Sequence, residues 1–509
     1  MSSHARIGVV VLLFSIIFLL YGNIIDNPFV WDDVPFYIQN IPLFSHIENT
    51  RILITKQYFP ITTERSYRPV ATLSYFINFL LWDGHLRWHR VINPVLHLMV
   101  SFMVFLVIQQ LYSSQLLAVL TALFFAAHPV HSEIMYVVTH NENLLLGLFF
   151  LLAFYLYIID GKDNKVTVKR IISVLSYLLA LFSKETALMF IPLLIVHDWL
   201  FYPGKKVRES VKQIFARYIW VTILYLVVRF WLMAPPYSAS YIGDNVISNT
   251  LSICFVIVKY IKLLILPTNL SVLINIPVIT SVFAWQFLAG ICVLTLILIL
   301  IYYFYMKNRR LSFMLIWPVF TLLPALNIVF AVVTHPMGER YLYLSVVGYC
   351  FIIAYVFIRA LKNRIVLIAA TGIVIIFYAS IILARSDDWR TEKAFFTKTV
   401  QQSPWSGKAQ NNLGIYYLKS GEWGLAEECF VKAIELSPEE WQAYSNLSIV
   451  YLKTKQFVKR LNILLLIREK MNGRIIPDLE YEIVSTYKEL GKEDECINIL
   501  QRLRSISNE

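Results

Sequence analysis

Long apolar runs separated by short polar connections fill most of the chain, and a helical pattern of mixed polarity fills the remainder. The first run is Ile7–Ile25. Others follow near Val91–Leu111, Gln115–Ala127, Leu144–Ile159, Ile171–Phe182, Ala187–Phe201, Ile219–Met233, Phe283–Tyr305, Leu311–Ala331, Tyr341–Ile358 and Ile365–Ala384. Their lengths, about 13 to 24 residues, bracket the roughly 20 needed to cross a bilayer as a helix. The most basic connections are "GKDNKVTVKR", "PGKKVRESVKQIFAR", "KNRR" and "RALKNR". Placing all four in the cytoplasm puts about eleven spans in alternating register from an N-terminus that lies inside. The run Leu251–Pro267 carries Lys259 and Lys262 midway along it, so it is expected to lie at the outer interface and not to cross. Only His4 and Arg6 supply charge or near-charge ahead of Ile7, and no small-residue cleavage pattern follows Ile25, so this run reads as a retained span.

An odd number of spans leaves everything after Ala384 outside. The segments "FVWDDVPF", "HPVHSE", "HPMGERY" and "SDDWR" then share that outer face. The tail itself changes period. "GKAQNNLGIYYLKSGEWGLAEECFVKAIELSPEE" places Leu413, Gly414, Tyr417, Ala426, Phe430, Ala433 and Pro438 at tetratricopeptide offsets. A second unit keeps Tyr444, Leu447 and Tyr451 but loses the small residues of its second helix. A third carries Tyr487, Gly491 and Cys496. The expected fold is all-α: a polytopic membrane unit over 1–386, then an α-solenoid of repeats over 387–509 that offers a concave surface to an extended peptide or a partner helix. "DDWRTEKAFFTKTVQQSP" reads as a lone helix ahead of the repeats, ending at Pro404.

Composition agrees with the pattern. With 58% hydrophobic and 15% charged residues and a mean hydropathy of +0.62 over 509 residues, the membrane class is the one that fits. The net charge of +12 is explained by the basic connections, and no nucleic-acid partner is expected. No Walker loop or dinucleotide fingerprint appears, which removes support for nucleotide-driven chemistry. The five cysteines are scattered and suggest neither a disulfide framework nor a metal cluster.

Ionisable residues at a membrane boundary are costly unless paired or solvated, which makes them candidates for function. Asp32 and Asp33 follow the first span, and the bland reading makes them solvated loop acids. They have company on the same face: Arg68 in "SYRPV", His128, His131 and Glu133 in "HPVHSE", Lys184 and Glu185 in "FSKET", and Glu339 with Arg340 in "MGERYLY". A carboxylate that removes a proton from a hydroxyl, facing cations that stabilise a departing phosphate, is what sugar transfer from a lipid phosphate requires. Arg340 has the fixed fork for bidentate phosphate contact, against the bland reading of a salt bridge with Glu339 or another acid. Lys184 offers a second positive charge, against pairing with Glu185 or a buried neighbour. The spacing of His128, His131 and Glu133 invites a metal reading, which Pro129 opposes because it interrupts a regular helix. Trp82 and Trp88 read as interface anchors.

Taken together, "FVWDD", "SYRPV", "HPVHSE", "GLFFLLAFYLY", "FSKETALMFIPLLIVHDWL" and "ERYLYLSVVGY", followed by the repeats, resemble the transmembrane and tetratricopeptide repeat-containing O-mannosyltransferases and their prokaryotic relatives. The resemblance covers nearly the whole chain. It implies a fold of the GT-C glycosyltransferase type with a pocket on the outer face. It also implies transfer of a sugar, mannose or another hexose, from a polyprenyl-phosphate donor to a Ser or Thr hydroxyl of an exported protein. Carried over, the acidic pair falls on Asp32 and Asp33, with Asp33 the first choice of base and Asp32 the alternative. The acid of the second motif falls on Glu133 and the arginine of the third on Arg340; the residues themselves, apart from the resemblance, offer Lys184 as a second cation at the phosphate. Arg68, His128, His131, Glu185 and Glu339 complete the expected pocket.

One departure stands out: "THNENLL" has Asn141 and Asn143 where relatives carry a basic residue and an acid. No cofactor is expected with a monophosphate donor, whereas a diphosphate donor would call for a divalent ion near Asp32, Asp33 and Glu133. The short repeat array points to a prokaryotic plasma membrane over the endoplasmic reticulum. The rival readings are a transporter, which lacks the internal repeat of membrane segments it should show, and a membrane scaffold that recruits exported partners through its repeats.

Overall fold

The computed structural model describes residues 3–58, 66–82, 84–160, 167–232, 241–326, 337–471 and 476–507. Among these residues every regular element is helical, and the chain divides into two compact units, Met1–Arg390 and Thr391–Glu509. The ends of two expected spans, Met233 and residues 327–331, lie outside the described residues. So do the first six residues of the "GKDNKVTVKR" connection and the His335-Pro336 start of "HPMGERY".

In the first unit the principal helices are α1 Ser3–Tyr21, α2 Asp33–Phe36, α3 Pro69–Trp82, α4 Ile92–Tyr112, α5 Gln115–Ala127, α6 Asn141–Ile159 and α7 Val168–Ser183. They continue as α8 Phe190–Phe201, α9 Val207–Val227, α10 Val246–Ile265, α11 Trp285–Lys307, α12 Arg309–Leu322, α13 Val346–Ala360 and α14 Arg364–Asp388. Eight helical stretches among the described residues are long and apolar enough to cross a membrane, or nine if the pair Gln115–Ala127 and Pro129–Tyr136, bent by 47°, counts as one span. Helices α3 and α13 are shorter and also apolar.

Polar residues at the start of these runs set where each helix begins. Ser114 accepts from the Leu117 amide, Thr167 from Arg170, Asn245 from Ser248, Asn308 from Arg310 and Asn363 from Ile365. Each supplies an acceptor to one of the amides that a helix start leaves unpaired. The stretch expected to lie at the interface belongs to a continuous helix of 20 residues, Val246–Ile265, which by length and composition could also cross a membrane. Lys259 does not interrupt it, because its long stem lets Nζ reach out and donate to the Asn275 carbonyl at 2.6 Å. Gly290 lets α11 lie directly on α10, since a Cβ there would fall 2.5 Å from the Cys254 backbone.

Helix α6 is flanked by α4 and α7, and its first eight residues, Asn141 to Leu148, are all buried. That places a polar helix start in the interior of the unit. The segments that meet it there, α2, the short helices over Pro129–His131 and Glu339–Leu342, and the Ser183–Glu185 junction, carry most of the residues singled out above.

The second unit begins with α15 Glu392–Gln402 and continues as three helix pairs: α16 Gly407–Lys419 with α17 Trp423–Leu436, α18 Trp441–Lys453 with α19 Phe457–Lys470, and α20 Pro477–Glu489 with α21 Glu493–Ser507. Its core is built from Ala426, Phe430, Leu447, Val450 and Tyr451 in one cluster and Tyr444, Leu461, Leu464, Ile467, Leu479 and Ile483 in another. The missing small residues of the second pair have a structural consequence. Arg460 stands where the first pair has Ala426, is buried, and donates to Glu482 of the third pair at 3.2 Å.

Candidate active site

The acid pair is presented by a strained backbone. Trp31, immediately before it, holds φ at 59°, a left-handed conformation that a bulky side chain rarely adopts. The chain then turns into α2, and the two acids separate. Asp33 is 1% exposed and accepts hydrogen bonds from the Val138 amide at 3.1 Å, the Thr139 amide at 2.9 Å and the Thr139 hydroxyl at 3.1 Å. Burial pushes its carboxyl above the ordinary aspartate range, against Arg90 and the two amides that pull it down. Asp32 keeps a third of its side chain exposed, and its Oδ2 lies 3.3 Å from His140 Nε2. Asp33 therefore ties the acidic loop to the chain ahead of α6, and Asp32 faces outward from the same turn.

His140 carries the connection inward. Its Nδ1 is 3.8 Å from Glu133 Oε1, and that same oxygen accepts from Arg340 Nη1, while Oε2 accepts from the Arg340 backbone amide at 3.1 Å. Arg340 thus pairs with Glu133 and not with its neighbour Glu339. Glu339 is held instead by Arg385 of α14, 3.0 Å away.

A second group adjoins the first. Arg68 grips Glu185 through Nη2 at 2.9 Å and Nε at 3.4 Å, and its Nη1 donates to Glu142. Lys184 donates to Glu142 at 2.9 Å and to Asn143 Oδ1 at 2.7 Å, so its partner is Glu142 and not Glu185. Although burial alone would raise it, Glu185 is held at about 2 by Arg68 and Arg229. The ring of Tyr341 joins the two groups, with the Arg340 guanidinium 5.3 Å and the Lys184 ammonium 5.4 Å from its centroid. The asparagines of the "THNENLL" departure are both in use: Asn143 accepts from Lys184, and Asn141 donates to Ser74 at 2.6 Å.

The histidines of the second motif do not join this network. His128 spends both ring nitrogens inside the fold, accepting from the Val130 amide at 3.3 Å and donating to the Leu264 carbonyl at 3.1 Å. His131 is packed among the rings of His97, Phe125 and Tyr343. Glu133 points away from them to Arg340, and among the described residues no group of His, Cys, Asp and Glu is arranged to hold a metal ion.

Three members escaped the sequence reading. Glu142 is an acid at the mouth of an apolar run, the kind of position that signals function, but the asparagines on either side drew attention from it. His140 precedes the same run. Arg90, buried, acting electrostatically on Asp33 and donating to the Tyr136 carbonyl at 3.0 Å, sits at the turn between two helical segments with no local signal to mark it.

These features define a class: a multi-pass helical membrane protein with a buried network of acids and cations at one end of its helices, carrying a unit of tetratricopeptide helix pairs. The comparisons agree. A family model for the tetratricopeptide repeat matches residues 407–440. The chain is similar to a protein O-mannosyl-transferase of Caenorhabditis elegans, 25% identical over 426 residues that cover 79% of this chain and 59% of that protein. It is 26% identical to protein O-mannosyl-transferase TMTC3 of Mus musculus over 80% of this chain and 48% of the relative, and 28% identical to TMTC4 of Homo sapiens over 69% and 56%. The matches to these relatives span about half to three fifths of their length.

Proposed function

We propose that this protein is a GT-C type glycosyltransferase that moves a hexose, mannose for preference, from a polyprenyl-phosphate donor to a Ser or Thr hydroxyl of an exported protein on the extracytoplasmic face. The observation that carries the reading is the row Asp32, His140, Glu133 and Arg340: an outward-facing acid 3.3 Å from His140, whose other ring nitrogen lies 3.8 Å from the paired Glu133 and Arg340. The names of the relatives supply the reaction class.

Asp32 is the better placed of the two acids to act as base. The oxygens of Asp33 are taken by Val138 and Thr139, whereas Asp32 has exposed surface with which to meet a hydroxyl. In this mechanism the acceptor oxygen attacks the anomeric carbon in line and inverts it, and its proton passes to Asp32. The bond from that carbon to the phosphate oxygen breaks, and the electron pair stays with the lipid phosphate. Arg340, fixed in place by Glu133, and Lys184, beside it on the Tyr341 ring, meet the charge that develops there. Asp33 and His140 hold the base in position. The repeats supply the surface for the acceptor chain.

The test is the intact mass of exported proteins from cells carrying the wild type, Asp32→Asn or Arg340→Ala, with a deletion strain beside them. Loss of a general base costs about 10²- to 10⁴-fold. A hexose-sized addition should therefore vanish in both variants at unchanged protein level. An identical mass profile in all four strains would sink the enzyme and leave a membrane scaffold.

A further inference from the structure

The row of charges continues past Lys184 and Arg68 to a further buried cation. Arg68, Lys184 and Arg229 face two carboxylates, Glu142 and Glu185, and Lys184 has the neutral Asn143 as its remaining partner. Arg229 is 9% exposed, lies just past the end of α9 and acts electrostatically on Glu185. Its Nη1 has no hydrogen-bond partner among the described residues, and the same is true of the Tyr225 hydroxyl one turn earlier and of the Thr186 hydroxyl next to Glu185. The Tyr225 hydroxyl lies in the field of Arg229, Glu185 and Arg68.

A buried donor left without an acceptor is costly, so the Arg229 guanidinium with its unpaired Nη1 and the unpaired Tyr225 hydroxyl one turn away together suit an anion. The flank of α9 leading to it is apolar and outward-facing: Ile223, Leu224, Val227 and Phe230 are 40–64% exposed. An acyl or prenyl chain can lie along such a face while its headgroup reaches in.

We propose that Arg229 and Tyr225 form a receiving subsite for the phosphate of a lipid headgroup, at the bilayer-facing end of the row that runs through Arg68 and Lys184 to Arg340. This rests on the donor reading given above and adds a location to it.

The test is a phosphorus NMR titration of the full chain in nanodiscs with farnesyl phosphate and inorganic phosphate. Wild type, Arg229→Gln, Arg229→Lys and Tyr225→Phe are compared after thermal melts establish that each is folded. A hydrogen bond to a charged partner contributes about 1.5–3 kcal/mol, so Arg229→Gln should weaken farnesyl phosphate binding about 10- to 100-fold, with Arg229→Lys recovering part of it. Tyr225→Phe should cost about 2- to 10-fold. Wild-type binding left unchanged by both Arg229→Gln and Arg229→Lys overturns the subsite and leaves the donor reading standing. No binding of farnesyl phosphate by the wild type overturns both. Inorganic phosphate binding as tightly as farnesyl phosphate removes the lipid from the proposal.

Discussion

Buried charges gather at both ends of α6, and they are of different kinds. At the end where α6 begins stand Asp32, Glu133, Arg340, Arg68, Glu142, Lys184 and Arg229, with strain at Trp31 and donors that lack partners. The opposite end is 19 residues away, about 28 Å along the helix. There Asp160 accepts from Arg170 at 3.0 Å and Arg217 at 3.4 Å, and Asp198 accepts from Tyr157 at 2.9 Å, His197 at 3.2 Å and Lys205 at 3.0 Å. Those partners come from α6, α7, α8, α9 and the turn between α8 and α9, so the two acids fasten helix ends together. Asp160 closes α6 and Arg170 opens α7, each at the terminus where the helix dipole disfavours it, and pairing relieves both. The difference teaches that burial of charge alone does not mark a site. What marks it is valence left over once the pairs are made.

The strongest way to break this comparison is Asp160→Asn. Removing one partner of a buried pair costs up to about 3–5 kcal/mol, reduced here because Arg170 and Arg217 are 13% and 14% exposed and reach water. We expect about 2–3 kcal/mol, seen as a melting temperature lower by several degrees. Sugar transfer per folded molecule should stay within about twofold of wild type. A tenfold loss of transfer without a change in melting would move the chemistry to this end of the helices.

The same contrast explains what could be read from the sequence. Spans and repeats were legible because a 20-residue apolar run and a 34-residue period are local patterns. Val246–Ile265 is ambiguous in the sequence because the long stem of a lysine lets its charge leave an apolar zone, as Lys259 shows. Asp32, Asp33, Glu133, Lys184 and Arg340 were legible as acids and cations against an apolar background. Their pairing was not, because it joins residues distant in sequence: Arg340 to Glu133, Glu339 to Arg385, Arg68 to Glu142 and Glu185. Arg229 was hidden for the same reason. It follows an apolar run and gains meaning only beside Glu185.

A pH series sharpens the contrast, because the two ends should respond in opposite directions. Glu339 is pushed up to about 8 by burial and by Glu133, against the pull of Arg385. Between its ordinary value near 4.5 and about 8, the unfolded chain is ionised while the folded chain keeps the proton, so stability falls as pH rises through this window. The slope is at most about 1.4 kcal/mol per pH unit. Asp160 is lowered: despite some burial, Thr167, Arg170 and Arg217 favour its charged form. Its contribution is present above the ordinary aspartate value and is lost as pH falls through the depressed one. Melting temperature measured from pH 5 to 9 should decline toward the alkaline side in the wild type and flatten in Glu339→Gln. An unchanged slope in that variant would mean that Glu339 is already ionised beside Arg385.

The smallest effect belongs to the second unit, where repetition provides its own control. Each helix pair turns through the same hydrogen-bonded cap: the Glu422 amide donates to the Tyr417 carbonyl at 2.9 Å, Gln456 to Tyr451 at 2.8 Å and Lys492 to Tyr487 at 3.0 Å. The residue before each donor is left-handed, with φ of 76° at Gly421, 57° at Lys455 and 71° at Gly491. Two repeats use glycine, which has no Cβ to crowd the following carbonyl, and the middle one uses an exposed lysine that does. Left-handed backbone costs an ordinary residue roughly 1–2 kcal/mol, partly offset by the greater freedom glycine has when unfolded. Lys455→Gly should therefore stabilise the repeat unit by about 0.5–1 kcal/mol in a denaturant titration, with transfer and the melting of the membrane unit unchanged. Destabilisation instead would show that the Lys455 side chain contributes more to this turn than its backbone costs. The repeats would then differ by design at the one position where their geometry is the same.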